Sequence, residues 1–105
     1  MPFIDTSKLD VLQKRPGWRG RVVHSASNTF VWWEFDKDAD IHGHRHEQEE
    51  VWHIIEGELE MTIAGKSKIC GPGCIALIPP DTEHAARALT SGRAIVVDHP
   101  LREGF

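Results

Sequence analysis

The chain has 105 residues, enough for one domain with a hydrophobic core of its own. Hydrophobic residues make up 40% of the sequence and charged residues 27%, which excludes a disordered or fibrous protein. The 16 acidic residues outnumber the 12 basic ones, and no cluster of lysine and arginine stands out, so we expect neither nucleic acid nor an anionic membrane as a partner.

Residues 1–18 are predicted to form a short N-terminal extension. One turn of helix is expected there, capped by Thr6 or Ser7 and ended by Pro16-Gly17. The segment has no apolar stretch of signal-peptide length, and no run in the chain reaches the roughly 20 apolar residues of a membrane span. We therefore expect a cytoplasmic protein.

The central part of the chain, residues 19–98, is predicted to be a single all-β domain. Short runs rich in Val, Ile, Trp, Phe and Thr are separated by Gly, Pro, Asn and Asp, which is typical of short strands joined by tight turns. Many such strands with almost no helix predict an antiparallel sandwich or barrel. Residues 99–105 are expected to be a tail on the outside. The predicted strands lie near Arg19–His24, Asn28–Asp36, Ile41–His46, Val51–Glu56, Glu58–Ala64, Lys66–Cys70, Ile75–Pro79, His84–Leu89 and Arg93–Asp98.

Several of these strands are apolar on both faces, as in Phe30–Phe35. A small barrel has one interior, so a second apolar face needs a cover. We expect that cover to be a second subunit in a homodimer, and the alternative is that residues 1–18 fold back over the face. The predicted contact is formed by the strands around Val31, Trp33 and Phe35, or around Val51 and Ile55.

Histidine is unusually frequent, and His42, His44 and His46 alternate along one short stretch. Side chains at i and i+2 of a strand point the same way, so the imidazoles of His44 and His46 can converge on a metal ion. Glu50 follows a bend and can add a carboxylate oxygen, while His84 opens a later strand after a tight corner. Nitrogen and carboxylate ligands of this kind suit one divalent transition metal: Mn, Fe, Co, Ni, Cu or Zn.

A simpler interpretation of the histidine run is an exposed polar edge among glutamates. The two cysteines, Cys70 and Cys74, are too few for a structural zinc site. They are expected to be two small thiols beside the turn Gly71-Pro72-Gly73.

The histidine stretch resembles the first motif of the cupin superfamily, G-x5-H-x-H-x3,4-E-x6-G, with His44, His46, Glu50 and Gly57 in their places. The resemblance implies a double-stranded β-helix, or jelly roll, of the RmlC-like kind. A rival register with His42, His44 and Glu49 stretches both spacers beyond the motif, so His42 is placed at the rim of the pocket.

The second cupin motif, G-x5-P-x-G-x2-H-x3-N, is matched by Gly73, Pro79 and His84. The chain departs from the two motifs at Asp38 and Asp81, where they have glycine, and at Ala88, where the second has asparagine. None of these is a ligand position. The resemblance therefore implies that the metal ligands are His44, His46, Glu50 and His84.

Three function classes remain open, all with a small-molecule substrate or ligand. Four protein ligands leave two positions on a metal for a bidentate oxygen ligand. This fits an isomerase, tautomerase or cyclase acting on a sugar-derived, keto or enediol compound by Lewis-acid catalysis. The alternatives are an iron- or nickel-dependent dioxygenase and a non-catalytic ligand-binding protein.

A diffuse resemblance to the small pectin-degradation cupins favours the first class. It is carried by Arg19-Gly-Arg21 and the closing Arg102-Glu103-Gly104-Phe105, although those proteins have Gln in place of the ligand Glu. We consider Arg19, Arg21 and Arg87 as candidates for holding an anionic substrate.

Overall fold

A computed structural model describes residues 3–105 of the chain. Within them lie ten strands and one short turn of 3-10 helix. The helical turn is Thr6–Lys8, and the strands are β1 (Leu12–Arg15), β2 (Trp18–His24), β3 (Thr29–Phe35), β4 (Asp40–His44), β5 (Glu49–Glu56), β6 (Leu59–Ile63), β7 (Lys66–Cys70), β8 (Ile75–Ile78), β9 (His84–Ala88) and β10 (Gly92–His99).

The strands form two antiparallel sheets that pack face to face as a jelly roll. One sheet has the order β1-β2-β3-β10-β5-β8, and the other has the order β4-β9-β6-β7. Side chains alternate along each strand between the interior and the outside, as in β5, where Glu50, Trp52 and Ile54 are all buried. The all-β prediction is confirmed. No helix among residues 3–105 is long and apolar enough to cross a membrane.

The N-terminal segment differs from its prediction. Asp5, not Thr6 or Ser7, caps the helical turn, because its carboxylate accepts hydrogen bonds from the Ser7 amide and hydroxyl at 3.0 and 2.6 Å. Beyond that turn, β1 pairs with the edge of β2, whose backbone groups would otherwise be unpaired there. The domain boundary at residue 19 stays a prediction, but the segment before it supplies the edge strand of a sheet.

The inward face of β3 is the one that the sequence assigned to a subunit contact. Val31, Trp33 and Phe35 are 0%, 8% and 1% exposed and belong to the core, so that assignment is wrong. Phe30 and Trp32, which alternate with these residues along the strand, face outward. Alternation shows that a strand has two different faces, but only packing against the second sheet decides which face is inside.

The two aspartates at motif glycine positions adopt the backbone conformation that glycine favours. Asp38 has φ of 71° and Asp81 has φ of 55°, and aspartate tolerates this region better than most residues. The amide of Asp81 donates a hydrogen bond to the carbonyl of His46 at 2.8 Å. Asp81 therefore keeps the turn that the motif glycine would form. Its hydrogen bond connects the loop that contains His46 to the loop before β9.

Candidate metal centre

The structure brings the four predicted ligands to one end of the interior. His44 ends β4, His46 lies in the bend after it, Glu50 is the second residue of β5, and His84 opens β9. One nitrogen from each of the three imidazoles lies within 4.8 Å of the other two. Glu50 Oε2 is 3.0 Å from His46 Nε2, and Oε1 is 3.5 Å from His84 Nε2.

Strand pairing and a bend create this convergence. His44 on β4 lies opposite His84 on β9. The register of β4 shifts between Ile41 and His44, and because of this shift the side chains of Ile41 and His44 both face the interior. The prediction that His44 and His46 share one strand is wrong, since β4 ends at His44. His46 reaches the same point through the bend.

Each imidazole has its second nitrogen held by a backbone carbonyl. The Nδ1 atoms of His44, His46 and His84 contact the carbonyls of His42, Gln48 and Thr82 at 3.1, 3.1 and 2.8 Å. A carbonyl only accepts, so each Nδ1 carries a proton and each ring directs its Nε2 towards the centre. The Nε2 atoms of His46 and His84 are buried, with no hydrogen-bond partner among the described residues.

Glu50 supplies negative charge to the same point. It is 3% exposed, and Trp52 Nε1 donates a hydrogen bond to its Oε1. Burial acts to raise the pKa of Glu50, but interactions with His46 and His84 outweigh it and hold that pKa well below the usual range. Three imidazole nitrogens and a carboxylate in one cluster are ligands of the kind that a divalent transition-metal ion takes, so these residues fit such an ion.

Asp98 lies directly behind this cluster and was missed in the sequence. It is opposite Glu50 on the neighbouring strand β10, is fully buried, and accepts no hydrogen bond from the described residues. Burial, together with the nearby Glu50 carboxylate, raises the pKa of Asp98 to about 8. Arg102 Nη1 lies 3.6 Å from Asp98 Oδ2 and 3.7 Å from Glu50 Oε2. The proximity of Asp98 to Glu50 could be recognised only from the register of β5 and β10.

The raised pKa of Asp98 predicts a pH dependence of stability in the metal-free protein. The pKa of Asp98 is about 8 in the folded state and near 3.8 in the unfolded state. Between these two pH values, the folded protein keeps the Asp98 proton that the unfolded chain has lost. The free energy of unfolding should therefore fall as pH rises through this window. We expect Asp98→Asn to remove this fall and to raise the melting temperature at pH 8 relative to wild type, as measured by thermal denaturation. The exposed Asp10→Asn is the control, and an unchanged pH profile in Asp98→Asn would contradict the assignment.

A cavity of about 240 Å³ lies beside His44 and Glu50 of this cluster. His44 and Glu50 form part of its floor, and Trp33 and Trp52 form part of its apolar wall. Its basic lining residues are Lys14, Arg15 and Arg102. The cavity can therefore hold a small ligand that has an anionic group.

The arginines considered from the sequence lie elsewhere. Arg19 pairs with Asp36 at 3.0 Å and Arg21 with Glu34 at 2.9 Å, both on the outer face of the larger sheet. Arg87 is exposed and is absent from the described lining of the cavity. The basic residues of the cavity were missed because they come from the predicted extension and tail.

The rival ligand register is not supported. His42 and Glu49 are both exposed, and among the described residues neither belongs to a cluster that could hold a metal. His42 contributes to the site through its backbone carbonyl, which fixes the ring of His44.

Comparison with solved structures finds close relatives of the fold. An RmlC-like cupin from Shewanella frigidimarina is 25% identical with a TM-score of 0.92, covering 98% of this chain and 94% of that one. KdgF from Halomonas sp. is 24% identical with a TM-score of 0.91, covering 98% and 96%. A variant oxalate decarboxylase from Bacillus subtilis is 21% identical with a TM-score of 0.81, covering 92% of this chain and 29% of that one.

No curated protein sequence matches the chain. The family model described as "Cupin domain" matches residues 31–100, which include both histidine motifs and all four predicted ligands. The protein belongs to the cupin family.

Proposed function

We propose that His44, His46, Glu50 and His84 bind one divalent transition metal and that the protein is a Lewis-acid enzyme for a small anionic molecule. The observation that carries this proposal is the orientation of the three imidazoles. Backbone carbonyls hold every Nδ1 proton, so the three rings converge, and the Nε2 atoms of His46 and His84 face the buried Glu50 carboxylate. This is how metal-binding histidines are normally oriented by their surroundings.

The surrounding residues have distinct roles in this proposal. When bound, the metal polarises a carbonyl or enediol oxygen of the substrate. Arg102 lines the cavity and is positioned to hold a carboxylate of the substrate. Asp98 is buried behind Glu50 and acts as a positioning residue for that ligand. Trp33 and Trp52 line the cavity and exclude water from the part of the substrate that lies against them.

The reaction class we favour is isomerisation, tautomerisation or cyclisation of a keto or enediol acid. Unsaturated uronates are the first compounds to screen, because the closing Arg102–Phe105 resembles the pectin-degradation cupins. Glu50 stands where those proteins have Gln. The full negative charge of Glu50 makes a bound metal less electrophilic than the neutral amide of Gln would. A weaker Lewis acid favours isomerisation less, so a dioxygenase is the second candidate.

The proposal is tested first by metal content and then by oxygen dependence. Elemental analysis of untagged protein should find about one transition-metal ion per chain, and turnover of an enediol or uronate should persist without oxygen. Oxygen consumption would favour the dioxygenase. A metal-loaded protein without turnover would favour the ligand-binding alternative, and a metal-free preparation that takes up none would refute the metal site.

We also propose a homodimer that uses the outer face of the six-stranded sheet. Paired residues on neighbouring strands form a continuous apolar row across this face, which would be unusual on a monomer. Leu77 at one end of the row is 69% exposed and Phe30 is 37% exposed. Ile4 and Thr6 lie over one part of the same face, beside Trp32, so the N-terminal segment covers it only in part. The row consists of Val23, Phe30, Val97, Val51 and Leu77.

Charge placed in the middle of this row should separate the subunits. Val97 is at the centre of the row and faces outward. Val97→Lys should therefore yield a monomer that keeps its fold. Light scattering at micromolar concentration should show wild type as a dimer. Ser67→Lys adds the same charge on the outer face of the other sheet and should remain a dimer. A monomeric wild type would refute the proposal.

A further inference from the structure

Residues 102–105 form one side of the cavity that His44 and Glu50 line. This side consists of Arg102, Glu103, Gly104 and Phe105, which we call the C-terminal wall. Its beginning is anchored, because the Arg102 amide donates a hydrogen bond to Thr29 Oγ1 at 2.9 Å. Thr29 is fully buried on β3, so this end of the wall is fixed to the sheet.

The far end of the wall is held by Lys14 of the edge strand β1. Lys14 Nζ donates a hydrogen bond to the carbonyl of Gly104 at 2.9 Å and lies 5.2 Å from the centre of the Phe105 ring. The Arg102 guanidinium lies 5.0 Å from the same ring. Phe105 in turn packs edge-on against Trp33, with 5.8 Å between ring centres. Two cations and an indole therefore locate this ring at the mouth of the cavity.

The wall determines both the size and the charge of the space that remains. The cavity has a volume of about 240 Å³, and the wall forms one side of it. The lining carries Lys14, Arg15 and Arg102 against Glu50 and Glu103. If Glu50 is a metal ligand, its charge is neutralised by the metal, and the open part of the cavity carries a positive excess that favours a carboxylate.

We propose that Lys14 and Phe105 are specificity-determining residues that set the size of the carboxylic acid that the cavity admits. They do so by holding the C-terminal wall against Trp33. An acid that carries a phenyl ring binds less tightly, because Phe105 of the wall occupies the space beside Trp33 that the ring would fill. The ligand class rests on the proposed function, whereas the position of the wall does not.

The first experiment measures how well the wall shields the cavity in metal-free protein without any ligand. Trp33 and Trp52 line the cavity, whereas Trp32 lies on the outer face, so the measurement uses a Trp32→Phe background. In this background, Lys14→Ala and Phe105→Ala should each increase acrylamide quenching of tryptophan fluorescence by about twofold, since each removes contacts that retain the wall. Lys66→Ala on β7 is the matched control and should leave quenching unchanged.

A conservative variant separates the contact from a general loss of structure. Lys14→Arg keeps the positive charge and a donor for Gly104, so it should quench like the background protein. Circular dichroism and melting temperature establish that each variant is folded. Equal quenching in the background protein, Lys14→Ala and Phe105→Ala would overturn the proposal, because the wall would then shield nothing.

The second experiment tests ligand size with two α-keto acids that differ by a phenyl ring. Calorimetry should show that the metal-loaded wild type binds pyruvate more tightly than phenylpyruvate. This preference should fall about tenfold or more in Phe105→Ala, because the Phe105 ring no longer fills the space. An unchanged preference would overturn the role of Phe105. If neither acid binds any variant, the carboxylic-acid class is overturned, and the quenching experiment alone decides whether the wall shields the cavity. A protein that takes up no metal would instead refute the proposed function.

Discussion

Replacement of His84 by alanine is expected to abolish stoichiometric metal binding while the protein stays folded. Loss of a residue that only supports a ligand typically lowers metal affinity by about 10–100-fold, and loss of a ligand should exceed this. Fold retention is expected because the core of large apolar side chains is independent of the site, with Trp18, Phe35 and Ile54 all at most 1% exposed. Elemental analysis and calorimetric metal titration measure the first effect, and circular dichroism measures the second.

His42→Ala is the matched control for this experiment. His42 belongs to the same histidine run but is exposed, and its contact with the site is through its backbone carbonyl, which alanine retains. Its metal content should equal that of wild type. Normal metal content in His84→Ala would remove this residue from the ligand set. Unfolding of the demetallated wild type at room temperature would show that the metal, and not the apolar core, is the main source of stability.

Replacement of Gly57 by alanine is expected to destabilise the fold strongly. Gly57 is the last residue of the first motif and has φ of +82°, which disfavours every residue with a Cβ atom. An added Cβ would also overlap the Ser91 carbonyl oxygen and lie 2.8 Å from Thr90 Oγ1. Backbone strain and overlap together should cost about 3–5 kcal/mol. In a domain of this size the melting temperature should fall by roughly 15 °C or more.

Gly65→Ala separates the two causes. Gly65 has φ of +80°, almost the same as Gly57, but a Cβ there would meet no described atom within 4 Å. Only the strain remains, so the expected loss is about 1–2 kcal/mol. Thermal denaturation of both variants measures the difference. Equal melting temperatures would show that the contact with residues 90–92 contributes little and that backbone strain alone accounts for the glycine in the motif.

The site demonstrates how far local patterns can predict chemistry. His44, His46 and Glu50 could be chosen from a short stretch, because a histidine pair and a nearby carboxylate are a recognisable ligand pattern, and His84 followed from the second motif. The geometric reason given for the pair was nevertheless wrong, since β4 ends at His44 and a bend brings His46 to the same point. A period-two pattern cannot show where a strand stops when the following residues are polar.

Residues that act by proximity across strands were beyond prediction from the sequence. Asp98 is a candidate only because β10 pairs with β5 in a register that sets it against Glu50. Lys14 and Arg102 are far apart in the chain, and the sequence alone assigned both to segments outside the domain. Their convergence on one cavity depends on β1 joining the sheet and on the tail folding back over Trp33.

The sequence by itself determined the all-β architecture and nine of the ten strands among residues 3–105. It also selected four residues as metal ligands, which stays a prediction, although the structure brings them together. These depend on local information: residue alternation, turn-forming residues and two spaced motifs. The tertiary structure decided which face of β3 is buried, the protonation environment of Asp98 and the identity of the basic residues at the cavity. These depend on strand register and sheet packing, which are set by contacts between segments distant in sequence and therefore leave no local pattern to detect.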